Sequence, residues 1–194
     1  MNQNEVYIVL TATGTLFSET IKWFTKAPLN HASIAFDPEL NEVYSFGRKK
    51  LRNPFFAGFI QENFKHPFYG QASCAVYRIR VGERGFEQAR RLIGEMKQNP
   101  ERYKYHLLGL IGVLLRRRIP RENAYFCSHF VASVLERCGC RPVDKPACFI
   151  TPGDFEQSLS GEQIYRGTIA GYLSRYEPNY PAAAYGSAFA SVTA

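Results

Sequence analysis

Apolar and polar positions alternate along the chain with two different periods. Apolar runs of strand length predict β-strands at Val6–Ala12, His31–Phe36, Glu42–Phe46 and Ser73–Val81. Apolar side chains at helical spacing predict helices at Leu16–Thr25, Glu83–Gln98, Leu107–Arg116 and Ser128–Cys138. Because strands and helices do not alternate regularly, the pattern predicts an α+β fold in which helices pack on a sheet.

The remaining segments complete this picture. Thr151, followed by Pro and then Asp, is typical of a helix start, and Ile164–Leu173 predicts a last strand. Residues 48–72 mix Gly, Pro and aromatic residues without a period, which predicts an irregular excursion. Pro178–Ala194 carries no charge and predicts a disordered tail. We therefore expect a single domain over residues 1–177.

Composition and charge narrow the class of protein. The chain has 194 residues, of which 45% are hydrophobic and 21% charged, so it is long and apolar enough for one core. This composition excludes a collagen, a coiled coil and a small disulfide scaffold. The balance of 24 Lys and Arg against 17 Asp and Glu gives a net charge of +7, which is compatible with an anionic partner but identifies none.

No segment resembles a targeting signal or a membrane span. Residues 1–5 lack basic side chains, and the apolar run Val6–Leu10 is too short for a signal peptide. The longest apolar stretch, Leu107–Leu115, has nine residues, whereas a span needs about 20. We therefore expect a cytoplasmic protein. The five cysteines then predict no disulfide framework.

Cys127 is the first candidate for chemistry because it lies at the start of a predicted helix. The positive end of the helix dipole and the unpaired N–H groups there lower the pKa of a thiol and favour the reactive thiolate. The backbone N–H of Cys127 could also contribute to an oxyanion hole. The alternative is a buried cysteine that acts only as a small apolar side chain.

His31 is the candidate base for this thiolate. It opens a predicted strand on a face of small residues, which would let a helix pack closely there. His129 is two positions from Cys127 on the same helix and therefore faces elsewhere. His66 and His106 are more typical of structural or solvated positions.

A third polar residue usually orients a Cys–His pair. If residues 37–41 form a hairpin link, Ser33 pairs with Ser45 and His31 with Gly47. Ser45 then lies diagonally beside His31 on the same face. A shift of the register by one residue would place Tyr44 and Phe46 there instead. Neither register puts a carboxylate or an amide beside His31, so the strand pattern by itself assigns no third residue.

Two other kinds of site are weaker. Cys138, Cys140 and Cys148 are too tightly spaced for an ordinary zinc site, and we expect neither a metal nor a cofactor. The basic clusters Arg48–Arg52 and Arg116–Arg121 could contact an anionic membrane surface or a nucleic acid, but they are typical of solvated positions. We expect no nucleic-acid partner and leave a peripheral membrane contact open.

Several segments together resemble a known family. These segments are similar to the circularly permuted papain-like hydrolases of the NlpC superfamily, in the YiiX-like and lecithin:retinol-acyltransferase-like branch. They are Asn30–Phe36, Val43–Arg48 and Tyr125–Val131, preceded by Thr11, Thr13–Thr15, Phe17, Ser18 and Ile21. In that branch the histidine strand precedes the cysteine helix, as it does here. The resemblance spans residues 6–172.

The resemblance implies both a fold and an activity. It implies an antiparallel sheet with the cysteine helix packed against it, Cys127 as nucleophile and His31 as base. The family's third residue is a polar side chain on the strand after the histidine strand, where Ser45 is the match. The expected activity is hydrolysis or acyl transfer at an amide or ester of a peptide, cell-wall peptide or lipid, through a thioester. The alternative is a non-catalytic module of the same fold that binds an acyl or peptide ligand.

Overall fold

The chain folds around one mixed sheet. The computed structural model describes residues 4–12, 28–50, 53–106, 109, 112–113, 117 and 119–177. The strands in this part of the chain are β1 Glu5–Ala12, β2 His31–Ala35, β3 Val43–Lys50, β4 Asn53–Glu62, β5 Ser73–Arg80, β6 Lys104–Tyr105, β7 Ala124–Tyr125 and β8 Gln163–Thr168. Their order across the sheet is β7-β6-β4-β3-β2-β1-β5-β8. Neighbouring strands run antiparallel except for β6 and β7, which are parallel, so the expectation of a wholly antiparallel sheet is wrong at this edge.

Helices cover both faces of the sheet. Those in the described residues are α1 Glu83–Gln98, α2 Cys127–Arg137, α3 Pro152–Ser158 and α4 Ile169–Leu173. The Thr151 side chain accepts a hydrogen bond from the backbone N–H of Asp154, and the Asp154 carboxylate accepts one from Thr151 in return. This capping box fixes the start of α3. No described helix has the length and apolar composition needed to cross a membrane.

The helix that carries Cys127 packs through aromatic side chains. The Phe130 ring of α2 lies 5.2 Å from the Phe46 ring of β3 and 5.8 Å from the Phe59 ring of β4. Phe46 also lies 5.1 Å from Tyr125 of β7, so the sheet curls around the helix. Burying a side chain such as Phe130 contributes about 1.5–3 kcal/mol. The register of α2 against the sheet is therefore firmly set.

The opposite face of the sheet has its own apolar cluster. Val9 and Val76 pack there with Ala35, Val43 and the α4 side chain Tyr172. Because strand side chains alternate between faces, His31, Ser33 and Ala35 all point to this second face. The residues that alternate with them, Ala32 and Ile34, pack on the α2 side.

Most predicted elements are present, with ends shifted by a few residues at most. The strands at residues 6, 31 and 73 and the helices at 83, 128 and 151 are confirmed. The register of the hairpin is confirmed where the two strands pair, at Ile34–Tyr44 and Ala35–Val43, but the described pairing does not extend to the predicted pairs Ser33–Ser45 and His31–Gly47. The predicted helix at 16–25, most of that at 107–116 and the tail at 178–194 lie outside the described residues.

Two predicted segments are wrong. Residues 48–72 are not irregular, because β3 extends to Lys50 and β4 follows at Asn53–Glu62. The Pro and Gly residues of β4 are unfavourable in a strand and obscured its pattern, but pairing with β3 stabilises the strand. The predicted strand Ile164–Leu173 ends at Thr168, whose hydroxyl accepts a hydrogen bond from the N–H of Gly171 and starts α4.

Candidate active site

His31 and Glu62 form a hydrogen-bonded ion pair within the sheet. The Nε2 atom of His31 lies 2.9 Å from Oε1 of Glu62. Glu62 ends β4 opposite Val43, and its side chain is only 2% exposed, whereas that of His31 is 21% exposed. A carboxylate is rarely buried without a partner. The imidazole is therefore the group that allows Glu62 to lie here.

A second donor completes the surroundings of the carboxylate. The Ser33 hydroxyl donates a hydrogen bond of 2.7 Å to the same Oε1 atom. Burial alone would raise the pKa of Glu62, but the His31 charge and the hydrogen bonds from His31 and Ser33 lower it below its ordinary value. Glu62 is thus ionised over the physiological pH range and acts as a fixed negative charge beside the imidazole.

Cys127 contacts the other side of the same imidazole. It is the first residue of α2, it is buried, and its thiol is hydrogen-bonded to the His31 side chain. Since Nε2 of His31 is bonded to Glu62, Nδ1 is the nitrogen left for the sulfur. The backbone N–H groups of Ala32 and Ser128 also hydrogen-bond the sulfur. The structure therefore aligns a thiol, an imidazole and a carboxylate in series.

The thiol reaches His31 through an opening between two strands. The predicted helix position was wrong, because α2 packs on the face of Ala32 and Ile34 and not on the small-residue face of His31. Pairing between β2 and β3 in the described chain stops at Ile34 and Tyr44. The N–H of Ala32 is directed at the Cys127 sulfur instead of at β3. A side chain at the start of α2 can therefore meet an imidazole on the other face.

The electrostatics of the pair favour a charged thiolate and imidazolium. Burial alone would lower the pKa of His31, but the Glu62 charge and the hydrogen bonds to Cys127 and Glu62 raise it to about 10. Burial alone would raise the pKa of Cys127, but the hydrogen bond and charge of His31 lower it below its ordinary value. A lowered thiol pKa beside a raised imidazole pKa favours the thiolate–imidazolium form of the pair.

The other cysteines provide the contrast. Burial raises the pKa of Cys74 and of Cys138 to about 12, and it raises the pKa of Cys140 as well. The charge of Arg166 and a hydrogen bond from the backbone of Gly167 act on Cys74, but they do not offset its desolvation. Cys127 differs from them because it is buried beside an imidazolium and two N–H donors.

The start of α2 also presents donors to a substrate. Phe126 is the N-cap residue and supplies no side-chain hydrogen bond to the first turn. The first backbone N–H groups of a helix have no partner within the helix. Ser128 holds this turn in place because its hydroxyl donates a 2.6 Å hydrogen bond to the carbonyl of Ile150. The backbone N–H of Cys127 is therefore positioned as an oxyanion donor next to the sulfur.

Ser45 forms no hydrogen bond with His31 in the described part of the chain. Its side chain is fully buried, and its hydroxyl forms no hydrogen bond of ordinary geometry with a described group. The hydroxyl faces Glu62 closely enough to lower the pKa of that carboxylate. Glu62 holds the position at His31 that the sequence analysis assigned to Ser45. Glu62 is not among the predicted site residues, because the pattern over residues 48–72 predicts an irregular segment and no strand. The signal was the apolar run before Glu62, which is long enough to form the second arm of a hairpin with β3.

The remaining histidines lie away from this series. The His129 ring packs 4.9 Å from the Tyr125 ring, and His66 accepts a hydrogen bond from the N–H of Phe68. His106 is bonded to the carbonyl of Ile119 and the N–H of Gly109. In the part of the chain that the structure describes, no three His, Cys, Asp or Glu side chains are grouped to hold a metal ion.

Comparison with known proteins gives no relative from which a role could be transferred. No protein-family model, curated protein or solved structure matches the chain.

Proposed function

We propose that the protein is a cysteine-dependent hydrolase or acyltransferase with a circularly permuted papain-like fold. One observation carries the proposal: a partly buried imidazole is held by Glu62 through Nε2 and hydrogen-bonded to the Cys127 thiol. Thiol, base and orienting acid in series are the parts that nucleophilic acyl chemistry requires. The chain order of the three, with the histidine strand first, supports the permuted arrangement.

The reaction begins with the thiolate–imidazolium pair. The Cys127 sulfur attacks the carbonyl carbon of an amide or ester, and the carbonyl electron pair moves to oxygen to form an oxyanion. The backbone N–H at the start of α2 stabilises this oxyanion. The His31 imidazolium donates its proton to the leaving nitrogen or oxygen as the C–N or C–O bond breaks. A thioester on Cys127 and a neutral imidazole remain.

The second half of the reaction restores the enzyme. The neutral His31 imidazole takes a proton from water or from an acceptor hydroxyl or amine, whose oxygen or nitrogen attacks the thioester. The C–S bond breaks, the acyl group leaves with its new partner, and the thiolate and imidazolium form again. Glu62 keeps its charge throughout, and it holds the ring with Nδ1 toward the sulfur. We propose peptide, cell-wall peptide or lipid acyl groups as the substrate class.

The presence of Glu62 weakens the case for a non-catalytic module. Strongly shifted pKa values cluster at functional sites because catalysis needs acids and bases of matched strength. A buried carboxylate that raises the pKa of His31 fits that requirement, whereas the binding of an acyl or peptide ligand does not call for it.

Cysteine labelling tests the proposal directly. The rate of iodoacetamide labelling is measured against pH at all five cysteines by mass spectrometry, in wild type and in His31→Ala. We expect Cys127 to label fast below pH 7 in wild type and to lose that reactivity in the variant. His66→Ala, which removes an exposed histidine outside the site, is the matched control. If Cys127 titrates as an ordinary thiol in wild type, the enzyme proposal is wrong.

A further inference from the structure

A cavity of about 340 Å³ opens beside the start of α2. This volume lies within the range of about 300–1,000 Å³ that is usual for small-molecule sites. Its walls include Phe126, the residue before Cys127, and His129, the second residue after it. The cavity therefore begins at the same helix turn that carries the thiol.

The cavity has an apolar wall and a cationic edge. Tyr125, Phe126 and Phe149 supply aromatic surface. The edge carries Arg117 and Arg121, two exposed guanidinium groups that form no salt bridge with a carboxylate in the described part of the chain. Glu122 is the acidic residue of the lining, so the arginines leave the edge with a net positive charge.

The wall is held by a buried histidine. His106 is 3% exposed, its Nε2–H donates a 2.8 Å hydrogen bond to the carbonyl of Ile119, and its Nδ1 accepts one from the N–H of Gly109. These bonds occupy both ring nitrogens and connect Gly109, before Arg117 in the chain, with Ile119, which follows it. The position of the cationic edge is thus supported from within the protein.

The geometry of α2 relates the cavity to the thiol. Phe126, His129 and Ser133 line the cavity, and successive residues of a helix are about 100° apart around its axis. The Cys127 side chain therefore points away from the cavity, although Cys127 belongs to the same first turn of α2 as residues that line it. A substrate whose carbonyl lies over the Cys127 N–H would cross the start of α2 and extend into the cavity.

We propose that this cavity binds an anionic group, a carboxylate or a phosphate, on the acyl substrate that Cys127 attacks. The inference rests on the proposed function and names its substrate class: an amide or ester with an apolar portion and a negative charge near the scissile carbonyl. Arginine suits this role because its planar guanidinium binds carboxylate and phosphate through paired hydrogen bonds.

Matched alkylating probes test the proposal. The probes are N-chloroacetyl-phenylalanine, its neutral primary amide, and its phosphonic acid analogue. In each case the thiolate displaces chloride and forms a C–S bond. The second-order rate of labelling at Cys127 is measured for wild type and for the double variant Arg117→Gln/Arg121→Gln. The matched control is Arg84→Gln/Arg91→Gln, which removes the same charge from exposed positions on α1.

The ratio of anionic to neutral labelling rates is the readout. We expect an anionic probe to label Cys127 about 10-fold faster than the amide in wild type and in the control, and to lose most of that advantage in the double variant. The His31 imidazolium attracts anions in all three proteins, so it cancels from the comparison. The neutral probe reports that each variant is folded, and the faster of the two anions identifies carboxylate or phosphate.

The failures of the two proposals are distinguishable. If Cys127 labels fast with every probe and the ratio is the same in the double variant as in the control, the cavity does not bind the anion and this inference is wrong. If no probe labels Cys127 faster than the other cysteines, the proposed thiolate chemistry itself is wrong.

Discussion

The Nε2 atom of His31 lies 2.9 Å from Oε1 of Glu62, although 31 residues separate the two along the chain. The two residues come from β2 and β4, with β3 between them in the sheet. Their long side chains meet over the small residues Ser45 and Gly47, which leave space above β3. The pair thus depends on the order of three strands as well as on the two residues that form it.

Replacement of Glu62 should uncouple the thiol from the imidazole. In Glu62→Gln the ring keeps a hydrogen-bonding partner but loses its counter-charge, so the pKa of His31 falls and that of Cys127 rises. We expect kcat/KM to fall about 10-fold for Glu62→Gln and about 100-fold for Glu62→Ala, in line with a loss of about 1–3 kcal/mol.

An NMR titration of the His31 ring is the direct measurement for both Glu62 variants. The exposed carboxylate variant Glu101→Gln is the control. An unchanged His31 titration in Glu62→Gln would contradict the proposed role of the carboxylate.

Turnover and alkylation should separate at high pH. His31 must be protonated to release the leaving group, and its pKa is raised to about 10. Above that pH, turnover of an amide substrate is expected to fall, whereas alkylation of Cys127 needs only the thiolate and should persist. The two rates are measured against pH in parallel. Turnover that falls near pH 6.5, the ordinary range of histidine, would contradict the ion-pair description.

The same shift bears on stability and sets the control for this experiment. A raised His31 pKa gives a stabilisation that is complete below its ordinary value of 6.5 and is lost as pH rises through about 10. Circular dichroism at each pH shows whether a loss of turnover comes from deprotonation of His31 or from unfolding of the protein. Glu62 has the opposite sign: its stabilisation is present above its ordinary pKa and is lost as pH falls through the lowered one.

The parts of the site that are local in sequence could be predicted, and the part that is not local was missed. Cys127 and His31 were identified because each lies at the end of an element with a clear apolar pattern. Glu62 was missed because its role depends on a strand that contains Pro and Gly. The register of the hairpin placed Ser45 correctly on the His31 face, but two neighbours on one face need not form a hydrogen bond.

Ser33 and Ser45 should differ in their effects despite their similar positions. Ser33 donates a 2.7 Å hydrogen bond to Glu62, so Ser33→Ala is expected to destabilise the protein by about 1 kcal/mol and to lower activity several-fold. The buried Ser45 hydroxyl forms no hydrogen bond of ordinary geometry with a described group, but it faces Glu62 and helps to lower the pKa of that carboxylate, so Ser45→Ala should cost less than Ser33→Ala. Urea unfolding and kcat/KM measure both. A larger loss of kcat/KM for Ser45→Ala than for Ser33→Ala would indicate that Ser45 is the third residue of the site after all.

Two glycines of α1 should respond in opposite directions to substitution by alanine. A Cβ atom at Gly94 meets no atom within 4 Å, so Gly94→Ala should stabilise the protein by about 0.5–1 kcal/mol through its helix propensity. A Cβ atom at Gly85 would lie 2.5 Å from the carbonyl oxygen of Cys138, so Gly85→Ala should destabilise it. Urea unfolding of the pair measures the packing of α1 against α2. Equal effects would mean that the two helices are not packed as described.

The size of the side chain that position 47 can accept should be limited by the space that the His31 ring occupies. A Cβ atom there would lie 3.1 Å from Cδ1 of Ile60 and 3.5 Å from both Cε1 of His31 and Oγ of Ser45. The end of the Ile60 side chain can move, so Gly47→Ala should retain most of the activity. The branched side chain of Gly47→Val adds methyl groups toward the imidazole and should displace it. A displacement of 1 Å at a reacting group costs about 10²-fold in rate.

The measurement for Gly47 is the rate of acylation of Cys127 together with the melting temperature. Gly161→Val is the control, since a Cβ atom at Gly161 meets nothing within 4 Å. We expect Gly47→Val to lose acylation while it still unfolds cooperatively, because the new side chain disturbs the His31 ring more than the sheet that carries it. Full activity in Gly47→Val would show that the ring does not lie over β3. The described contact between His31 and Glu62 would then be wrong, and so would the explanation for the raised pKa of His31.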